Sequence, residues 1–386
     1  MQSLRDLLNS TAGRRFLESK DVFLDQDAFA ARLCPPPKLD LVQLFEAPEQ
    51  AKPVYMLQQI YVDYRRSFVC RAVLLQTFVD DAAVFPFHLW IDTDRCGADK
   101  LSCGFTWPIA GEKVFNLIPR DSKERTVETR FASTERRTLE VLLDRLEMNI
   151  TQSLPRKQEQ TRARAKYQQL RDTFLQEDGT ALRAINARVT ALLLSRCLDL
   201  GLPAVFTSEI YNRGLLHAAV NRCLNNITDV IRVYNSAVAD LMRADIDPQV
   251  QPLDDSYLPL HYSCDIDRRR IRLLHQVQGG DHFAVGQCSC GADYRFHLGS
   301  TMLAIDELAA TDRWSVDVTL PMHLNDLVSG YIGGKSSVLY NLVFREVLSK
   351  VLGRTPIPVL VPTELAAPEA DEHRPFDSLI YQFITM

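Results

Sequence analysis

The chain of 386 residues has no apolar run approaching 18 residues, so the sequence offers no membrane-spanning helix. Its first residues, Met1-Gln-Ser-Leu-Arg-Asp, lack the charged and apolar blocks of a signal peptide. Positive charge is not in excess: the net charge of -5 gives no general reason to expect nucleic acid as a partner. Cysteine is present, but without framework spacing. The nine cysteines are an odd number, and Cys34, Cys70, Cys96, Cys103, Cys197 and Cys223 are scattered. That pattern argues against a disulfide scaffold and for a reducing cytoplasm, with most thiols acting as small buried hydrophobes. A Walker A loop is also missing. Gly330 precedes Gly334-Lys335-Ser336 by one residue too few, and Ser329 stands where the first glycine belongs.

What is present is an alternation of apolar runs and helical patterns, which predicts an α/β protein built on a parallel sheet. Val54–Leu57, Phe87–Ile91, Val205–Phe206 and Pro358–Val361 read as strands of that sheet. The first two flank a helix within Tyr61–Val79 and make a βαβ unit. Asp92 and Asp94 leave the second strand at the end where open α/β sheets bind ligands. Val316, Val318 and Leu320 alternate with polar residues and predict another strand. Tyr331-Ile332-Gly333-Gly334 then opens a helix that stops at Gly353. At its start Lys335 and Ser336 offer a charge and a hydroxyl to an anion.

The boundaries follow from composition. Residues 1–133 form the first half of the core. Cys34-Pro35-Pro36-Pro37 breaks the early helices, and a further helix is expected around Leu39–Phe45. Residues 134–247 are helical, with one core strand near 202–206. Within them lies a basic helix from Arg156 to Arg171, expected as a solvated face. Next comes a long helix with an a/d seam of Val220, Leu224, Ile227, Ile231, Tyr234, Val238 and Leu241. That seam packs inside the chain, on the Leu182–Leu192 helix, or forms a homodimer. Residues 248–300 predict a small antiparallel sheet inserted before the second half of the core, 301–386.

The insert carries Cys264, Cys288 and Cys290. Cys288-Ser289-Cys290-Gly291 resembles the knuckle of a zinc ribbon, one residue short of C-x-x-C. Asp267, His261 or His282 would supply a fourth ligand. A metal-free ribbon and a redox pair are the other readings of the same cysteines. His88 and His323 sit on apolar runs and read as core histidines.

Several blocks together resemble the bacillithiol-biosynthesis cysteine-adding enzymes. That family carries a G-Q-Q-x-G-x-x-x-G-P segment, a strand ending in an acidic cluster, and a Y-V-G-G-P-G-E turn before a helix and a P-V-V-V-P strand. Here Gln58-Gln59 matches the paired glutamines without the flanking glycines. Leu89-Trp90-Ile91-Asp92-Thr93-Asp94 is similar to the second block, with Arg95-Cys96-Gly97 in place of the rest of the cluster. Tyr331-Ile332-Gly333-Gly334 is similar to the third, with Lys335-Ser336-Ser337 for Pro-Gly-Glu. Pro356 to Pro362 fits the closing strand. The resemblance implies a Rossmann-like core that binds nucleotide (ATP or ADP) and a ligase that joins cysteine to an amino-sugar conjugate. On that reading Asp92 and Asp94 are catalytic. Gln58, Gln59, Gly333, Gly334, Lys335 and Ser336 hold a small substrate with amino and anionic groups. The alternative is a non-catalytic scaffold that binds partners.

Overall fold

A computed structural model of the chain describes residues 1–33, 45, 50–97, 103–107, 113–154, 156–176, 180–324, 327–366 and 378–385. The proline break at 35–37 and nearly all of the helix expected around 39–45 lie outside them. The strands are β1 Val22–Phe23, β2 Lys52–Gln59, β3 Val84–Ile91, β4 Gly104–Trp107, β5 Lys113–Asn116, β6 Ala204–Phe206, β7 Tyr257–Ser263, β8 Arg270–Gln278, β9 Asp281–Gln287, β10 Asp293–Gly299, β11 Trp314–Val316, β12 Gly330–Ile332 and β13 Val359–Leu360.

The protein is mixed α/β, with a six-stranded sheet of order β1-β13-β12-β2-β3-β6 in which every pair is parallel. The four expected strands all belong to it. Side chains alternate across the sheet, as the pleat requires. Tyr55, Leu57, Phe87, Leu89, Tyr331 and Val359 face one apolar cluster, shared with the helices Ile227–Arg243 and Lys335–Lys350. Val54, Met56, Ile332 and Leu360 face another, shared with Arg66–Gln76, Arg136–Ser153, Lys157–Phe174 and Leu182–Leu198. Both faces are covered, which is why these strands read as continuous apolar runs. The basic helix Lys157–Phe174 buries Ala163, Tyr167, Leu170 and Phe174 and turns its charges outward.

Three expectations are corrected. Val316 ends a strand of a different sheet, and Thr319–Leu324 is helical, so the strand before the glycine turn is β12. The alternation around Val318 was a poor guide because β11 pairs antiparallel with β7 and stops at Val316. β12 was hidden by its brevity and by Gly330. That glycine is there for packing: a Cβ would lie 2.6 Å from the Phe29 ring and 2.5 Å from Leu33. The long seam helix is two helices, His217–Asn225 and Ile227–Arg243, divided at Asn226. The second packs along Lys335–Lys350 rather than Leu182–Leu198, with Tyr234 and Phe344 rings 5.9 Å apart. All seven seam side chains are buried within the chain.

Residues 257–316 supply a five-stranded antiparallel sheet of order β10-β9-β8-β7-β11. Its far strands leave one face in solvent, as the alternating burial of β10 shows. No helix of the described residues is long and apolar enough to cross a membrane.

Candidate functional site

The two sheets meet at a cavity of about 440 Å³ at the C-terminal edge of the parallel sheet. Leu57 of β2, Ile91 of β3 and the Thr93-Asp94 exit form its floor. β7 contributes Tyr257 and His261, and β8 contributes Arg270 and Arg272. The exit of β11 contributes Asp317 and Thr319, and the helices contribute Tyr234, Tyr340 and Phe344.

The polar side of this cavity centres on one guanidinium. Arg270 approaches Asp94 at 3.4 Å and the buried Glu128 at 3.4 Å. It also donates to His261 Nδ1 at 3.2 Å. A guanidinium has no acceptor to offer, so His261 Nδ1 is the acceptor and Nε2 carries the proton. Desolvation, then the charges of Arg270 and Arg272, hold His261 well below its ordinary value, so the ring is neutral. Tyr257 donates to Asp317 at 2.9 Å. Desolvation raises the Asp317 carboxyl, partly countered by Arg270 and reinforced by Asp94. Three carboxylates thus surround one fixed cation; desolvation raises the proton affinity of the buried Glu128 and of Asp317, and of these two Asp317 lines the cavity. That arrangement suits binding of an amine and proton transfer to or from it.

Asp94 and Asp92, two residues apart, have different surroundings. Asp94 opens to the cavity and accepts from Gln59 Nε2 at 2.9 Å; Tyr61 in turn donates to Gln59 at 2.7 Å. Asp92 is fully buried. It accepts from Ser208 N–H and Thr207 Oγ1 at 3.0 Å and from Arg183 at 3.1 Å, tying β3 to the start of the helix Thr207–Asn212.

The paired glutamines split because neighbours on a strand point to opposite faces. Gln59 serves Asp94, whereas Gln58 accepts from Arg71 across the sheet. β12 and β3 lie on either side of β2, so the Gly333-Gly334 turn and Asp94 flank the exit of β2 rather than touch. The turn's amides are engaged. Gly333 N–H donates to the Leu360 carbonyl at 2.8 Å and Gly334 N–H to Ser337 Oγ at 2.7 Å. Lys335 is half-buried and Ser336 exposed in the first turn of the Lys335–Lys350 helix.

The second cluster is in the antiparallel sheet. The ligand atoms of Cys264, Asp267, Cys288 and Cys290 all lie within 4.8 Å of one another, so the four could hold a metal ion. Cys264 and Cys290 sulfurs are 3.6 Å apart, and Cys288 Sγ lies 3.2 Å from Asp267 Oδ1. Gly291 N–H donates to the Cys288 carbonyl at 2.9 Å, closing a tight turn. At φ +95 Gly291 occupies backbone space that other residues rarely adopt. The fourth member is Asp267. His261 belongs to the cavity, and His282 Nδ1 pairs with His275 Nε2 at 2.8 Å.

The sequence offers His261 as a candidate fourth metal ligand, whereas the fold places it in the cavity. Arg270 and Arg272 read in the sequence only as part of an alternating strand, and nothing local marks Tyr257 or Asp317 as site residues. A signal existed in Arg270-x-Arg272 on a strand, where alternate residues share a face, but nothing local says which face meets a cavity. His88 and His323 are core histidines, as expected; burial pushes both down to about 3. No protein-family model matches this chain, and no curated protein matches its sequence.

Proposed function

We propose that the chain is a ligase-like enzyme that joins an amino acid to an amine of a small metabolite. The carrying observation is the cavity at the C-terminal sheet edge, where Asp94 and Asp317 converge on Arg270. In this reading Asp94 holds the amine and Asp317 moves a proton. Tyr257 keeps Asp317 oriented. The parallel sheet and the order of the matched blocks support a Rossmann-like core, distantly related to the bacillithiol-biosynthesis cysteine-adding enzymes. A nucleotide such as ATP or ADP would place its phosphates toward the exits of β2 and β12 and supply the activation a ligase needs. Zinc is the metal that best fits three thiolates and a carboxylate, in a closed structural site. The insert would then be a zinc-ribbon-like unit. A cytoplasmic setting, which keeps thiols reduced, suits the described cysteines.

A thermal-shift and calorimetric screen of the purified chain against amino acids and nucleotides tests the reading. At least one amino acid should bind. Asp94→Asn should weaken it by about 1.5–3 kcal/mol, the worth of a hydrogen bond to a charged group, at unchanged melting temperature. A screen in which no amino acid or nucleotide binds removes the proposal.

A further inference from the structure

We propose that the crevice between the C-terminal ends of β2 and β12 binds an oxyanion, phosphate or carboxylate, against Arg71, Tyr331 and the N-terminus of the Lys335–Lys350 helix. The inference rests on the ligase-like reading for its substrate but on separate residues for its evidence.

The first support is topological. From β2 the chain steps outward through β3 to β6, whereas β12 and β13 lie on the other side of β2. The direction of strand order reverses between β2 and β12, and open α/β sheets take ligands outside the strand ends at such a point.

The second support is an unneutralised cation. Arg71 is only 6% exposed. It donates from Nη1 to the Leu57 carbonyl at 3.1 Å, from Nε to the Ser67 carbonyl at 3.2 Å, and from Nη2 to Gln58 Oε1. All three acceptors are neutral, and they occupy three of the five donors a guanidinium carries. Among the described residues no carboxylate pairs with it. Burying a charge without a counter-charge is costly. The location adds to that cost. A Cβ on Gly334 would sit 3.1 Å from Arg71 Cζ, so the guanidinium rests against the residue that begins the helix. That is the positive end of the helix dipole, where Ser337 Oγ accepts from the Gly334 N–H but the glycine N-cap has no side chain to offer the first-turn amides.

The third support is Tyr331. Its ring is fully buried, and its hydroxyl lies beside those of Ser337 and Tyr340 without making a hydrogen bond of good geometry. Arg71 acts on it electrostatically, whereas Ser337 and Tyr340 act through their neighbouring hydroxyls. A buried phenol, a buried guanidinium and a helix start with a glycine N-cap therefore converge with donors and no anionic acceptor. One oxyanion answers all of them. Because the Gly333 and Gly334 amides are already bonded within the turn, the side chains carry the recognition. Leu57 and Tyr340 also line the main cavity, so a ligand's anionic end at Arg71 is continuous with an amine at Asp94.

Calorimetry with inorganic pyrophosphate and, separately, malonate at constant ionic strength tests this. At least one should bind the full chain with one site; which one binds separates a phosphate from a carboxylate ligand. Tyr331→Phe removes only the hydroxyl and keeps the ring, so it should fold normally and bind about tenfold more weakly. Arg71→Lys keeps the charge but loses the planar fork, and should weaken binding at least as much. If neither anion binds at millimolar concentration, or if both variants bind as the wild type does, the site is refuted. Neither probe carries an amine or a nucleoside, so that failure leaves amino-acid binding at Asp94 intact. Conversely, anion binding without any amino-acid binding keeps this site and removes the ligase reading.

Discussion

Cys264, Asp267, Cys288 and Cys290 come from two turns of one antiparallel sheet, whereas the cavity draws its walls from β2, β3, β7, β8, the β11 exit and two helices. The first arrangement is local. Two cysteines at a tight turn and a third cysteine before a hairpin are visible in the sequence, and the sheet has only to close on itself to unite them. The second is distributed, and each of its side chains looks ordinary in its own segment. Arg270 follows two other arginines, and Asp317 follows a valine in a short strand. Their importance arises only when the antiparallel sheet is laid against the edge of the parallel one. Local clusters announce themselves through spacing, whereas distributed sites announce themselves through topology.

The two are physically joined, which gives the comparison its strongest test. β7 carries His261 and runs into Cys264; β8 leaves Asp267 and carries Arg270. A metal at the cluster would pin the turn that sets both cavity residues. Cys288→Ser should lower zinc affinity by more than about a hundredfold, exceeding the 10–100-fold typical of groups outside the ligand shell. Metal content and hydrogen exchange together check it. Protection should fall in β7 to β10 and persist in β2 and β3. A variant that keeps a full equivalent of zinc, or loses protection equally in both sheets, ends the distinction between the two regions.

Acid separates the regions by a smaller amount. His88 has both ring nitrogens buried without partners, and His323 bonds Tyr55 Oη at 2.8 Å. Burial, aided by Arg71 for His88 and by Arg345 for His323, depresses both to about 3. Unfolded histidine titrates near about 6.5. Between those values the unfolded chain binds more protons, so stability rises with pH. It is fully present above about pH 6.5 and is lost as pH falls toward 3, by a few kcal/mol for each buried ring. Buried Asp63, raised to about 6 by desolvation, works in the opposite sense: its contribution is present below its unfolded value and lost as pH rises through 6. The difference between wild type and His88→Leu isolates the histidine. The variant should be close to neutral at pH 7, because no polar partner is orphaned, and should lose less stability in acid. Identical acid curves would show that His88 is not buried neutral.

How much of this could be read beforehand follows the same division. The four parallel strands were legible because burial on both faces leaves long apolar runs. β1 and β12 were not, being two and three residues long and paired only through contacts distant in sequence. Asp94 was legible from its place after a strand, and Asp92 looked equivalent because a carboxylate's partners, here Ser208 and Arg183, are set by the fold. The glycine turn was legible as a turn, but its amides are bonded within it. Arg71 resembled any helix arginine until its helix was packed against Gly334.

Lys335 offers the finest measure of that last point. In the sequence it is the obvious cation beside the glycine turn, and an anion contact there predicts a loss of roughly 1–3 kcal/mol on removal. The fold lowers that figure. Lys335 is half-buried in the first helical turn, whereas Arg71 is almost wholly enclosed beside the N-cap. A charge with access to solvent is screened, and exposed ion pairs are worth about 0.2–1 kcal/mol. The same interaction gains strength where water is excluded. Lys335→Ala should therefore weaken pyrophosphate or malonate binding by no more than about 1 kcal/mol, with a loss that shrinks further in salt. Arg71→Lys, measured in the same titration, should lose more and should keep its loss as salt is raised. If Lys335→Ala is the more damaging of the two, the anion lies at the open end of the helix. The buried guanidinium would then serve the packing of β2 against the Gly333-Gly334 turn and not the ligand.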